Sequence, residues 1–135
     1  MRSRLSRLPG LMFTIIVLAA ILWLTLAPKP MGDDPPPLFP GADKIAHACM
    51  FGGLVIAVLF DRQRKNGWKP IRSKFALAVA AASSIFGVAI EFLQLGMHMG
   101  RGFEYSDMIA DTLGAFICAF AWVIFQKYWL ISGIK

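Results

Sequence analysis

The sequence predicts an all-α integral membrane protein, a four-helix bundle with both termini cytoplasmic. Three observations predict it. The 135 residues are 57% hydrophobic and only 16% charged, where a soluble domain has about 45–50% apolar and about 25% charged residues. The apolar excess falls in four blocks, each near the roughly 20 residues that cross a bilayer. Cations and acids are then sorted to opposite ends of those blocks. The mean hydropathy of +0.61 agrees. Residues 1–135 read as one domain, with spans at about 8–27, 43–60, 75–95 and 107–126. The net charge of +6 reads as membrane orientation, which excludes nucleic acid as the partner and leaves the lipid bilayer.

The first block opens with MRSRLSR, three arginines and no acid, followed by an uncharged run to Ala27. A secretory signal has the same grammar, but the run is long for one and no A-x-A site precedes the prolines, so a retained helix is expected. Residues 28–42, PKPMGDDPPPLFPGA, hold six of the eight prolines. Proline lacks an N–H and fixes φ, so this stretch is an extended loop. Asp43 reads as the N-cap of the second helix, where negative charge suits the macrodipole, and Ile45 to Phe60 is apolar except for His47.

Residues 61–74, DRQRKNGWKPIRSK, read as a polar loop with six cations, one acid, and Gly67 and Pro70 as helix breakers. The third span covers 75–95. The fourth, 107–126, is followed by the interfacial group Lys127, Tyr128 and Trp129. With the N-terminus inside, eleven of the fourteen cations lie on the cytoplasmic side, and seven of the eight acids lie on or near the outside. Cys49 and Cys118 read as small buried hydrophobes. Ionisable residues are expected only in the outer halves of the helices, which argues against an ion pathway.

That topology gathers the polar residues of EFLQLGMHMGRGFEYSDMIAD, residues 91–111, at one mouth. Asp43 and Asp107 sit at the outer interface. His47, Glu91 and Asp111 share a layer about one turn deeper, and Gln94 lies at the edge. A carboxylate inside an apolar run costs several kcal/mol unless paired, so its default reading is a site or a deliberate polar contact. Ala80, Ser84, Gly87, Glu91 and Gln94 form one small-and-polar stripe. Asp107, Asp111, Gly114, Cys118 and Ala121 form another at the same offsets. The third and fourth helices are expected to pack through these stripes. Glu104 reads as a solvated loop charge, and His98 as an interfacial loop residue.

DKIAHACMFGGL (43–54), EFLQ (91–94), Arg101, Asp107 and DTLGAF (111–116) resemble the VanZ-like family of small bacterial membrane proteins, over about residues 40–120. The resemblance implies a bacterial cytoplasmic-membrane protein of the cell envelope, and the family's namesake is associated with low-level resistance to teicoplanin. Asp43, Lys44, His47, Glu91, Gln94, Arg101, Asp107 and Asp111 match motif positions. One departure is Asp-Thr-Leu-Gly where the family pattern runs through Ala-Asn, an acid in place of an amide.

Two functional classes stay open on these residues. In one, an outward-facing pocket binds or acts on a lipid-linked or cell-wall ligand. His47 and Glu91 are then the candidates for catalytic proton exchange, and Asp43, Lys44, Gln94, Arg101, Asp107 and Asp111 are the ligand-binding candidates. Oxygen donors plus one histidine also suit a divalent ion, but the sequence specifies no cofactor, metal or oligomeric state and leaves enzymatic activity open. In the other class, a structural or assembly protein uses the polar cluster only to fix helix packing.

Overall fold

The apolar blocks form four α-helices, with no strand, among the residues described by the computed structural model, 7–27, 38–98 and 103–131. Arg101, most of the proline-rich segment and the arginines at positions 2 and 4 lie outside that set. The helices are α1, Met12–Leu26; α2, Ala42–Lys65; α3, Ser73–Met97; and α4, Tyr105–Ile131. The last three are long and apolar enough to cross a membrane. At 15 residues, α1 rises about 22 Å, short of the roughly 30 Å hydrocarbon core.

α2 is the central element. It touches each of the other three helices, and its contact with α4 is the most extensive in the molecule. Glycine makes that contact possible. A side chain at Gly52 would meet the Cys118 Sγ at 2.6 Å and the Gly114 carbonyl oxygen at 3.0 Å, and one at Gly114 would fall on the Ala48 backbone. The stripe containing Gly114 and Cys118 therefore packs mainly on α2, not on α3 as its offsets suggested. Ala121, at the end of that stripe, is exposed. On α3 the inward serine is Ser83, whose hydroxyl donates to the Phe51 carbonyl at 3.4 Å, while that of Ser84 returns to Ala80 of its own helix.

Two apolar clusters fill the interior. Ile21, Phe51, Leu54 and Ile90 pack nearer the start of α2. Val55, Leu59, Ile71, Ala76, Ala80, Ala115 and Ala119 pack nearer its end. Large apolar side chains face outward all along the bundle, among them Ile85 at 70% and Ile117 at 64% exposure. That surface suits lipid, where burial of the chain's apolar residues inside the protein is not required.

Asp61 to Lys65 are helical, a correction to the loop expected over 61–74. The buried Asp61 and Arg64 explain why the helix runs on. Asp61 Oδ2 accepts the backbone N–H and the hydroxyl of Thr14, both at 2.9 Å. Leu11, the residue before α1, offers no side-chain cap, so α2 supplies one from across the interface. The acid sits at the positive end of the α1 macrodipole. Arg64 pairs with Asp61 Oδ1 at 2.9 Å and donates to the carbonyls of Leu8, at 3.0 Å, and Pro9, at 2.6 Å. Leu8 to Gly10 thus form a docked lead-in, and α1 begins at Met12 instead of Leu8. The expectation that ionisable groups are confined to one end of the helices is overturned by this same pair.

α2 then stops at a Schellman turn. Gly67 has φ +65, and the Trp68 N–H donates to the Gln63 carbonyl at 2.8 Å. Trp68 itself has φ +62 and is held edge-on by Phe60 and Trp129. The link to α3 is pinned by Gln126 of α4. Its amide accepts the Ile71 N–H at 2.9 Å and donates to the Ile71 carbonyl at 2.7 Å.

Candidate functional site

The polar cluster is built at the end of the bundle where α2 and α4 start and α3 finishes. α2 begins after Gly41, whose φ of +83 lies in the left-handed region that favours glycine. Gly41 is therefore the N-cap, in place of the expected Asp43, which falls inside the first turn. This start presents Asp43, Lys44 and His47 within a turn and a half. α4 contributes Asp107 and Asp111, four apart and so on one face, and Glu91 comes from the last two turns of α3.

Lys44 is the hub of the outer layer. Its ammonium group donates to Asp43 Oδ2 at 2.7 Å, to Asp107 Oδ1 at 2.5 Å, and to Glu104. These contacts use all three of its donors, so a ligand reaches Lys44 only by exchange with a carboxylate. Glu104, expected as a solvated charge, is instead tied to the cluster through Lys44 and Ser106. The Lys44 ammonium holds the Glu104 carboxyl below its ordinary value.

The inner layer joins His47, Asp107, Asp111 and Glu91. His47 Nδ1 lies 3.0 Å from Asp111 Oδ1, and Nε2 lies 3.7 Å from Asp107 Oδ2. With Asp111 ionised, which then only accepts, Nδ1 is the donor in this contact. Asp111 is 1% exposed and Glu91 is fully buried. Asp111 Oδ2 lies close to Gly87, where a side-chain Cβ would approach it to 2.7 Å. Glu91 Oε2 accepts the Glu104 N–H at 3.3 Å. Glu91 Oε1 and Asp111 Oδ2 have no hydrogen-bond partner.

Six of the eight residues expected at the site are thus brought together: Asp43, Lys44, His47, Glu91, Asp107 and Asp111. Gln94 is turned toward α1, where its amide donates to the Thr25 carbonyl at 2.7 Å. Arg101 lies outside the described residues. Sequence reasoning missed Glu104, whose signal was its spacing three residues ahead of Asp107. His98 is exposed at the end of α3 with φ +50. Cys49, expected to be buried, is exposed on the bundle surface, and Cys118 is half-buried; both are free thiols.

One donor atom each from His47, Glu91 and Asp107 lies within 4.8 Å of the others, and Asp43, Glu104 and Asp107 form a second, more exposed group of the same kind. Among the described residues, two cavities lie toward the opposite end. One, of about 270 Å³, is lined by Arg62, Asn66, Pro70, Ile71, Arg72 and Phe75. A smaller one, lined by Ser73 and apolar residues of α3 and α4, opens beside Ala119.

No curated protein and no solved structure matches the chain. The sequence profile of one family does, over residues 11–126, a range that takes in all three motif blocks and nearly all of the four helices. This membrane protein belongs to the VanZ/LLP1 family.

Proposed function

We propose that the protein lies in the bacterial cytoplasmic membrane with both termini inside, and that its polar cluster opens on the outer face to engage the head group of a lipid-linked cell-envelope ligand. The observation that carries this reading is the convergence of ionisable side chains from three helices on the fully buried Glu91, one of whose oxygens has no partner. A carboxylate kept in that state is costly in an apolar setting, and such residues in membrane helices mark sites by default. The cation distribution supports the orientation: the basic residues around the 61–74 segment lie at the end away from the cluster. His47 and Glu91 are the groups placed to exchange a proton with a ligand. Asp43, Lys44, Asp107 and Asp111 surround them, and Gln94 holds α3 to α1 beneath them.

The test is binding of polyprenyl pyrophosphate to the protein in nanodiscs, with polyprenyl alcohol as the control for the tail. Saturable binding of the pyrophosphate is expected, with at least a tenfold loss in Glu91→Gln and none in Lys69→Gln at the other end. In a bacterial host, the family association predicts that expression raises the tolerated teicoplanin concentration and that Glu91→Gln abolishes the rise. A second reading, helix-packing cement, draws on the His47–Asp111 contact between α2 and α4. It predicts that Glu91→Gln lowers the melting temperature and leaves binding unchanged.

A further inference from the structure

We infer that His47, Glu91 and Asp107 bind one divalent transition-metal ion, of the zinc or manganese class, with Asp111 as the residue that positions the histidine. The inference deepens the proposed function and rests on it for the ion's role, though not for its binding.

The first support is the geometry of His47. Its Nδ1 lies 3.0 Å from Asp111 Oδ1, which leaves Nε2 as the ring nitrogen available to an ion, and Nε2 lies 3.7 Å from Asp107 Oδ2. That separation is too long for a hydrogen bond. It is close to the spacing of two ligands on one ion: donors about 2.0–2.2 Å from a tetrahedral zinc are about 3.4 Å apart. A carboxylate behind the far nitrogen of a ligating histidine is the usual outer partner, because it fixes the tautomer and raises the basicity of the ligand.

The second support is independent of the histidine. Glu91 is fully buried, and its Oε1 has no partner, while one of its oxygens lies within 4.8 Å of the His47 and Asp107 donor atoms. The third is charge. Among the described residues, Asp43, Glu91, Glu104, Asp107 and Asp111 face only Lys44 and His47, and Lys44 is already used by Asp43, Glu104 and Asp107. Among the described residues, Lys44 bonds Asp107 but neither Glu91 nor Asp111, so the buried side of the cluster has less positive charge than the outer. A divalent ion there relieves the Glu91 and Asp107 carboxylates together. One imidazole nitrogen and two carboxylate oxygens suit zinc or manganese better than the all-oxygen preference of calcium or magnesium. Three protein ligands leave a position open, which suits a phosphate oxygen of the lipid-linked ligand. The outer group of Asp43, Glu104 and Asp107 is occupied by the Lys44 ammonium and is not a second metal site.

The test strips the full chain with chelator in detergent and titrates it with Zn²⁺ and Mn²⁺ by calorimetry, using Co²⁺ as an optical probe. One ion per chain is expected, with a Co²⁺ spectrum free of thiolate charge-transfer bands, which separates this site from Cys49 and Cys118. Glu91→Gln and Asp107→Asn each weaken binding more than tenfold, Asp111→Asn weakens it about 10–100-fold, and Lys69→Gln, at the other end, leaves it unchanged. Zn²⁺ raises the melting temperature of the parent and leaves that of folded Glu91→Gln where it was, so the readout survives if a harsher His47 variant fails to fold. No bound ion, thiolate bands in the Co²⁺ spectrum, or full affinity in Glu91→Gln overturns the inference. Polyprenyl pyrophosphate binding is measured on the same samples. Lipid binding without an ion removes the metal and leaves the proposed function standing, whereas an ion without lipid binding upholds the metal and removes the ligand.

Discussion

Gly114 sets the distance between α2 and α4, because any side chain there would occupy the Ala48 backbone. Its neighbour on the same face, Asp111, uses one oxygen to orient His47 and holds the other near Gly87. Packing and chemistry therefore share residues at this end. Gly114→Ala is expected to cost at least about 1–3 kcal/mol, the usual range for overpacking, and to shift His47 relative to Asp111; reversible unfolding in detergent measures the first. Glu104 gives a pH signature. Lys44 holds its carboxyl below the ordinary value of 4.5, so the tie to Lys44 is intact above that value and is lost as pH falls through the lower, folded-state pKa. Melting temperature followed below pH 4.5 should fall less steeply in Glu104→Gln than in the parent. The effect is small, because Glu104 is half exposed and the pair is screened. The depth shared by His47, Glu91 and Asp111 was legible from the sequence, since spacing along an apolar run determines depth. The roles of Gln94 and Glu104 were not, because each depends on which neighbour its side chain meets.

The elements show the same division. Hydropathy alone located the helices, because each apolar run is long enough to need lipid or a core. Their ends were less legible. Asp61 and Arg64 sit in a sequence of cations that looks solvated, and only the docked start of α1 makes them buried partners. Gly41 took the N-cap from Asp43 because the entry to α2 has a left-handed φ of +83, which glycine adopts without strain. Asp61→Ala should strand the Arg64 charge and remove the cap of α1, with a loss of about 3–5 kcal/mol, as for other broken buried pairs. Ligand binding per folded molecule should persist. A variant of unchanged stability would show that α1 is held by its apolar face alone. Gln126→Leu should cost about 1–3 kcal/mol, because both polar groups of Ile71 lose their partner. Protease sensitivity confined to the 66–72 segment would report it.

For the whole molecule, two polar layers close the ends of an apolar bundle and differ in kind. At the Arg64 end, Asp61 and Arg64 are bonded to one another and to the start of α1, as a structural joint requires, and the buried amide without a hydrogen-bond partner there, that of Gln63, is neutral. At the Glu91 end, two buried carboxylates each keep an oxygen without a partner, as a site awaiting a ligand or ion requires. The proposed function requires the second layer to face outward, because the lipid-linked envelope ligand is to be met there by its head group. Impermeant thiol labelling of intact cells tests this most directly. Single cysteines are placed in a chain lacking Cys49 and Cys118, at Leu38, 92% exposed near the site, and at Asn66 beyond the end of α2. Leu38→Cys is expected to be labelled from outside and Asn66→Cys only after the membrane is permeabilised; labelling of Asn66→Cys in intact cells, with Leu38→Cys protected, would contradict the outward-facing site.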